Sequence, residues 1–215
     1  MHQAGHCKMQ LKPIAGGTKL IVSKSPCNGL FFRKRWKGMM ISDEQREENF
    51  QEYLRLLKDP DYYDVYFDEQ SGGVSAIHKE HQFDKSIGPF NIKRGLYELM
   101  SVNALVRTGH CFILGPELST GLDVCKASDG LLDGISAEIK AVESCGRWAI
   151  RTKLMKARKQ GAAIVILYFH KRYLFSYDRV RQGWKEYIDA LSENDNIGLI
   201  CVVEKNVIVI EKPSW

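Results

Sequence analysis

Residues 128–141, SDGLLDGISAEIKA, contain two carboxylates and one ammonium group that a β-hairpin would bring together. Glu138 and Lys140 are two residues apart, so on a strand their side chains emerge on the same face. Asp129 opens the preceding strand, and the turn brings it opposite Glu138. Hard divalent ions such as Mg²⁺ or Mn²⁺ prefer carboxylate oxygens and keep water ligands, and a neighbouring lysine can stabilise the charge of a phosphate. The set suits metal-assisted hydrolysis of a phosphodiester.

Other acidic residues near the hairpin are alternatives to this set. Asp133 is a rival to Asp129 as the metal-binding aspartate, but it precedes Gly134, and Asp-Gly is a favoured pair in tight hairpin turns. We therefore expect Asp133 to belong to the turn. Glu117 and Asp123 precede the hairpin in a loop and could join the site, although acids in loops are usually exposed.

A further carboxylate is predicted on the helix that precedes the hairpin. Residues 95–109, GLYELMSVNALVRTG, have the pattern of a helix that ends at Gly109. Glu98 falls between Val102 and Leu105 on the stripe that should face the sheet. A buried carboxylate is costly unless it is paired or binds a cation. Glu98 is therefore expected to be an additional ligand for the metal or its water.

The helix predicted after the hairpin is strongly basic. Residues 147–159, RWAIRTKLMKARK, carry six cations and no acid. Arg147, Arg151 and Arg158 lie within roughly one 40° sector of this helix. A row of arginines beside a carboxylate site is suited to the phosphates of a polyanion, and Trp148 could stack on a base.

The order of the remaining elements predicts the fold class. HCFILGP, residues 110–116, reads as a short buried strand, and AAIVILYF, residues 162–169, as a strand buried on both faces. A helix from Ser176 to Leu191 and a strand–turn–strand around Lys205 follow. The order α-β-β-β-α-β-α-β-β predicts an α/β fold with a small mixed central sheet flanked by helices.

The first third of the chain reads differently. A capping-box pattern that begins at Ser42 predicts a helix near 43–58. Residues 58–73, KDPDYYDVYFDEQSGG, are rich in Asp and Tyr and read as a connector, with a domain boundary near Gly73. The predicted division is an N-terminal extension with one helix, residues 1–75, and a second domain, residues 76–215.

Composition excludes several classes of protein. With 215 residues, 44% hydrophobic and 27% charged, the chain can bury a core and is not expected to be disordered. No apolar run reaches the length of a membrane-spanning helix, and we expect no membrane span.

The N-terminus lacks the apolar region of a conventional signal peptide, and the six cysteines form no C-x-x-C pair. We expect reduced thiols and a cytoplasmic location. A net charge of +5 is only a weak pointer to an anionic partner.

Taken in order, the helix glutamate, Asp-x8-Glu-x-Lys, the basic helix and the apolar strand resemble the PD-(D/E)XK nuclease superfamily. GLYELMSVNALVRTGHCFIL, SDGLLDGISAEIKAV and KARKQGAAIVILYF look like the C-terminal nuclease domains of bacterial polymorphic toxins, in particular contact-dependent growth-inhibition toxins. The resemblance covers about residues 76–212. Ser128 stands where the motif name has proline.

This resemblance implies a restriction-endonuclease-like α-β-β-β-α-β core and an enzyme that cleaves DNA or tRNA with Mg²⁺ or Mn²⁺. It implies that Glu98, Asp129 and Glu138 bind the metal, with Lys140 as the motif lysine. For a toxin it also implies a cognate immunity protein and action in the cytosol of the target cell.

Several interpretations stay open. The same fold could serve as a catalytically inactive nucleic-acid-binding module. His78 and His81 have a spacing that could bind metal or contact nucleic acid, although such pairs are more often surface or packing residues. The basic stretch 33–37, RKRWK, could bind phosphate or be merely solvated. Gln160 could contact substrate or simply end its helix.

Overall fold

The structure of the protein is a computed structural model that describes residues 41–83, 95–116, 128–144, 146–191 and 197–211. These residues lie within one compact unit, Lys37–Trp215. The described part of the chain contains four α-helices: α1 Asp43–Lys58, α2 Leu96–Val106, α3 Arg147–Lys159 and α4 Tyr177–Ile188. A short 3₁₀ helix, Arg172–Leu174, precedes α4.

Eight strands form one sheet in the order in which they occur along the chain. Strands β2, β3, β5, β6 and β7 point in one direction, and β1, β4 and β8 point in the other. The strands are β1 Tyr62–Phe67, β2 Val74–His78, β3 Cys111–Leu114, β4 Gly130–Leu132, β5 Ile135–Ala141, β6 Ile164–Phe169, β7 Gly198–Val203 and β8 Asn206–Glu211.

Helices make the three crossovers between parallel neighbours. α2 joins β2 to β3, α3 joins β5 to β6, and α4 joins β6 to β7. A helix that returns the chain in this way begins near the carboxyl end of one strand and ends near the amino end of the next. α2, α3 and α4 therefore all begin at the same edge of the sheet, which we call the carboxyl edge.

The prediction of an α/β fold with a mixed sheet flanked by helices is confirmed. The order α2-β3-β4-β5-α3-β6 is the predicted α-β-β-β-α-β order, while the restriction-endonuclease family itself stays a prediction. The helix expected near 43–58 begins as its capping pattern indicates, since the N–H of Gln45 donates to Oγ of Ser42 at 3.1 Å.

The sheet is larger than the small one expected, because it includes two strands that were not predicted: β1, in the stretch 58–73 that was expected to be a connector, and β2. β1 is an edge strand, and its register against β2 shifts between Tyr63 and Tyr66, with Asp64 at a φ of 48°. A bulged edge strand tolerates exposed polar residues, and its composition therefore resembles that of a loop. The boundary expected near Gly73 falls between β1 and β2, which pair with each other.

Helices cover both faces of the sheet. α2 packs on one face, where Val102 and Leu105 join a core with Phe112 and with Ile139. α3 and α4 pack on the opposite face, with Ile150 in a core that includes residues of β6 and β7. Gly183 of α4 lies so close to α3 that a Cβ at this position would be 2.6 Å from a side-chain carbon of Ile150. No helix in these described ranges is long and apolar enough to cross a membrane.

A buried asparagine ties α1 to the rest of the fold. Asn49 is 3% exposed, and its side-chain amide donates to the carbonyl oxygens of Gly72 at 2.8 Å and Gly109 at 3.0 Å. These two carbonyls belong to the loop before β2 and to the segment after α2. One amide therefore joins three segments that are distant in sequence.

We expect Asn49→Ala to lower the free energy of unfolding by about 2 kcal/mol, because two buried carbonyls lose their donor. The measurement is urea denaturation followed by circular dichroism. Gln51→Ala, which removes an exposed contact with Glu47 on the same helix, is the matched control and should change stability by less than about 0.5 kcal/mol. Equal effects of the two substitutions would contradict this role of Asn49.

Candidate functional site

The residues singled out on the hairpin lie at the carboxyl edge of the sheet. Asp129 immediately precedes β4, and Glu138 and Lys140 lie on the second half of β5. In α/β sheets, ligands bind outside the carboxyl ends of the strands, where the loops and the helix N-termini meet. The hairpin therefore presents its charged groups at the edge where chemistry is usually located.

The carboxylates of Asp129 and Glu138 each accept a backbone N–H group from the other side of the hairpin. Oδ2 of Asp129 accepts the N–H of Ile139 at 2.7 Å, and Oε2 of Glu138 accepts the N–H of Asp129 at 3.0 Å. β4 is only three residues long, and the carboxylate of Asp129 takes the place of the next carbonyl in its pairing with β5. The carboxylate of Asp129 thus lies near the plane of the sheet rather than on one of its faces.

A glycine permits the close approach of β4 to the strand on its other side. A Cβ at Gly130 would lie 2.1 Å from the carbonyl oxygen of Ile113, a distance that no side chain could tolerate. Gly130 pairs with Leu114 and with Ala137, so it is held between β3 and β5. This close packing of Gly130 places the preceding residue, Asp129, between β3 and β5 at the carboxyl edge.

Lys140 forms an ion pair with Glu138. Its Nζ donates to Oε1 of Glu138, whose side chain is 1% exposed. The Lys140 side chain is 15% exposed, so the ammonium group reaches toward solvent while the carboxylate is buried. The structure thus brings Asp129, Glu138 and Lys140 together.

Glu98 lies behind this group, on the first turn of α2, and is buried. Its Oε2 is 3.3 Å from Nε2 of His81, and Nδ1 of His81 is 2.9 Å from the carbonyl oxygen of Gly115. A carbonyl and a carboxylate are both acceptors, so this geometry fits an imidazolium or a proton shared between His81 and Glu98. The N–H of Gly115 in turn donates to the carbonyl oxygen of Asp129 at 2.9 Å, which connects the pair to the hairpin.

Burial and neighbouring charge shift the pKa values of this cluster. The pKa of Asp129 is raised to about 8, first by burial and then by the charge of Glu138, against the opposing effects of the Ile139 N–H and of Lys140. The charge of Glu98 also raises it. For His81, burial alone would lower the pKa, but the hydrogen bonds to Glu98 and Gly115 and the nearby carboxylates raise it overall. Burial and the neighbouring charges of Glu138 and Glu98 thus disfavour the ionised form of Asp129.

The carboxylates of the cluster resemble the ligands of a divalent metal in type but not in number. In the described ranges no group of three or more His, Cys, Asp or Glu side chains is arranged to hold a metal ion. Mg²⁺, however, is usually bound by one or two carboxylates, water molecules and the phosphates of the substrate. Asp129 and Glu138 form such a pair, and the raised pKa of Asp129 indicates a site where added positive charge would be favourable. The carboxylates of Asp129 and Glu138 are chemically suited to this kind of site. Glu98 pairs with His81, and its charge raises the pKa of Asp129.

The start of α3 adds cations and an exposed aromatic ring at the same edge. Trp148 is 56% exposed, and the guanidinium carbons of Arg147 and Arg151 lie 5.0 and 5.6 Å from its ring centroid. Arg147 also pairs with Glu186 of α4 at 3.3 Å. Among the residues described, Nε of Arg151 is a buried donor without a hydrogen-bond partner. This group is suited to stacking on a base and to contacting phosphate.

The structure does not bring Arg158 to this edge. Arg158 lies in the last turn of α3, about 16 Å along the helix axis from Arg147. A shared sector of a helical wheel places side chains on one face but says nothing of distance along the axis. Gln160 caps the same far end of the helix.

The structure decides between several of the alternatives that the sequence left open. Asp133 and Gly134 have φ values of 50° and 78° and form the hairpin turn, which confirms that assignment. The carboxylate of Asp133 contacts Nδ1 of His110 at 2.6 Å, at the opposite edge. His78 packs against Tyr62 with ring centroids 5.2 Å apart. Outside the described residues lie Glu117, Asp123 and the basic stretch 33–37.

His81 is the member of the cluster that sequence reasoning did not select. Its buried contact with Glu98 depends on a pairing between residues seventeen positions apart. One indication was present in the sequence: His81 comes four residues after the end of the short run VSAI, residues 74–77, and precedes a helix. That order places a residue at the carboxyl edge of a parallel strand.

The raised pKa of Asp129 predicts a pH-dependent stability in EDTA. An unfolded aspartate ionises near its ordinary pKa of 3.8, whereas the folded one keeps its proton until about pH 8. The unfolded chain therefore releases this proton first, and stability should fall as pH rises between these values. Asp129→Asn removes this fall, so the variant should gain stability over the wild type toward pH 8. The measurement is urea denaturation at pH 4 to 8.

Asp61→Asn, which removes an exposed carboxylate, controls for the change in net charge. Curves for the wild type and Asp129→Asn that stay parallel across this pH range would contradict the assignment of the raised pKa to Asp129.

Comparisons of the chain with protein-family models, with curated proteins and with solved structures found no match. The residues of the cluster and their geometry are therefore the basis for any functional conclusion.

Proposed function

We propose that the protein is a divalent-metal-dependent nuclease that hydrolyses phosphodiester bonds in DNA or tRNA. The observation that carries this proposal is the pair of hydrogen bonds that joins Asp129 to Glu138 and to the N–H of Ile139, with Lys140 paired to Glu138 at the carboxyl edge. Several carboxyl groups buried together beside a lysine are a costly arrangement for a purely structural site, since burial and neighbouring charge both disfavour their ionised forms. Strongly shifted pKa values in such a position are typical of functional sites.

In this proposal Asp129 and Glu138 hold Mg²⁺ or Mn²⁺. The bound ion supplies Lewis acidity to a phosphoryl oxygen and lowers the pKa of a water molecule. Lys140 lies next to Glu138 and is partly open to solvent, so its ammonium group can orient the water or neutralise charge that develops on the phosphate. Glu98 and His81 keep a charged hydrogen-bonded pair behind Asp129.

The start of α3 would hold the polyanionic substrate. Arg147 and Arg151 can contact phosphates, and the exposed ring of Trp148 can stack on a base. A bacterial toxin acting in the cytosol of a target cell is the setting that the sequence resemblance implies. Its immunity protein would be an acidic partner that covers the basic carboxyl edge.

A catalytically inactive nucleic-acid-binding module is the second candidate. It is favoured by one observation, the lack of a three-ligand metal group among the described residues. The two functions differ in their dependence on metal, because only the nuclease requires Mg²⁺ for a covalent change in the nucleic acid.

We expect Asp129→Ala and Lys140→Ala each to lower the rate of cleavage of a nucleic-acid mixture by at least about 100-fold, since each removes a charge from the reacting centre. EDTA should abolish cleavage by the wild type. Gel analysis of tRNA and of plasmid DNA, with and without 5 mM Mg²⁺ or Mn²⁺, measures both effects.

Asp133→Asn is the matched control, because it removes a carboxylate of the same hairpin at the opposite edge, and Asn tolerates the positive φ of this turn position. It should cleave like the wild type. If the Asp129 and Lys140 variants fold and also cleave like the wild type, the proposed active site is wrong.

The two ends of α3 should differ in binding. Arg151→Gln removes a cation at the carboxyl edge, so it should weaken binding of nucleic acid and reduce the slope of log K against log salt by about 1. Arg158→Gln removes the same charge at the far end of the helix and should leave both quantities nearly unchanged. Anisotropy titrations in EDTA at several salt concentrations measure this difference. Equal losses for the two variants would contradict a binding surface that includes the start of α3 and excludes its far end.

A further inference from the structure

A second basic and aromatic surface follows β6 at the carboxyl edge. Residues 170–181, HKRYLFSYDRVR, contain four Lys or Arg residues and one carboxylate, Asp178. They form the 3₁₀ helix and the first turn of α4. Tyr173 within this segment is 76% exposed, the largest value among the exposed large hydrophobic residues in the described part of the chain. An aromatic ring with so little contact contributes little to the core.

Each of the aromatic rings of the segment lies beside a cation. Nζ of Lys171 is 5.6 Å from the centroid of Tyr173, and the guanidinium carbon of Arg172 is 5.2 Å from that of Phe175. The guanidinium carbon of Arg181 is 5.8 Å from the ring of Tyr177. Three cation–π contacts therefore fall within residues 171–181.

The segment is anchored, although the ring of Tyr173 is exposed. Phe175 packs edge-on against the buried Phe169, with centroids 5.3 Å apart. The N–H of Arg172 donates to Oε1 of Glu204, in the turn after β7, at 3.2 Å. The N–H of Phe175 closes the turn on the carbonyl oxygen of Arg172 at 3.1 Å. Tyr173 is therefore presented by an ordered turn and not by a free loop end.

The segment lies next to the strand that carries the candidate site. β6 pairs with β5, so that Lys140 is opposite Leu167, and the 3₁₀ helix follows only a few residues after the end of β6. Adjacent strands are about 4.8 Å apart. Because Gly183 of α4 abuts the first turn of α3, Tyr177 extends about 9 Å further along the axis beyond that contact. The start of α4 thus projects at the carboxyl edge.

We propose that this surface, formed by Lys171, Arg172, Tyr173, Tyr177 and Arg181, binds unpaired nucleotides of the strand that the site cleaves. The inference rests on the proposed nuclease function and names its substrate class: single-stranded segments or loops. Tyrosine rings stack on bases whose faces are free, and in a duplex those faces are covered by the neighbouring base pairs. The four cations of the segment supply the contacts to phosphate.

Anisotropy titration of the full chain in EDTA tests this surface. The probes are a fluorescein-labelled 12-nucleotide single strand and the duplex of the same sequence. Tyr173→Ala should weaken binding of the single strand by about 5- to 100-fold, as expected for the loss of one stacked base, and should change duplex binding far less. Tyr173→Trp keeps a stacking ring and should bind the single strand like the wild type.

Tyr66→Ala, which removes a tyrosine that is 52% exposed on edge strand β1, is the matched control and should leave binding unchanged. Circular dichroism of each variant confirms that it is folded. Unchanged single-strand binding by Tyr173→Ala would overturn the proposal, and so would an equal loss for single strand and duplex or an equal loss for Tyr66→Ala.

Because EDTA prevents metal-dependent cleavage, this result is independent of the nuclease proposal. Adding Mg²⁺ to the same samples then tests cleavage. A wild type that binds single strands through Tyr173 without cutting any nucleic acid would contradict the nuclease and support the surface. A wild type that cuts, with Tyr173→Ala binding and cutting equally well, would support the nuclease and overturn the surface.

Discussion

The candidate site depends on two hydrogen bonds in which the carboxylates of Asp129 and Glu138 accept backbone N–H groups across the hairpin. Asp129 continues the pairing of β4 with its own carboxylate, which accepts the N–H of Ile139, and Glu138 accepts the N–H of Asp129. The carboxylate of Asp129 therefore lies near the plane of the sheet. Glu138 lies on the face of the sheet that α3 and α4 cover. Glu98 belongs to α2, on the other face, and its charge raises the pKa of Asp129.

This arrangement places the carboxyl groups of Asp129, Glu138 and Glu98 in a poorly solvated position, and the surrounding groups offset only part of the cost of ionising Asp129. Lys140 pairs with Glu138, the Ile139 N–H stabilises Asp129, and His81 pairs with Glu98. The pKa of Asp129 still rises to about 8. The cost of ionising Asp129 lowers the stability of the folded protein as pH rises, and added positive charge would reduce that cost. The proposed binding of a cation and a phosphate would supply that positive charge and give the partly exposed lysine a partner.

The carboxyl edge also favours anions for reasons that belong to the fold. α2, α3 and α4 all begin there, and the N-terminus of each helix carries partial positive charge. Trp148 with Arg147 and Arg151, and Tyr173 with Lys171, add exposed rings and cations at the beginning of α3 and just before α4. The parallel crossovers thus gather on one edge groups that are spread over much of the sequence.

Local patterns in the sequence determined the helices, the apolar strands, the turn at Asp133 and Gly134, and the spacing of Glu138 and Lys140, because each depends on neighbouring residues only. The same patterns failed for β1, whose Asp-rich composition suits a bulged edge strand as well as a loop. Only the tertiary structure decided that Glu98 meets His81, that Asp129 lies near the plane of the sheet, and that Arg158 is far from Arg147. Those outcomes follow from strand pairing and helix direction, which join residues that no local periodicity relates.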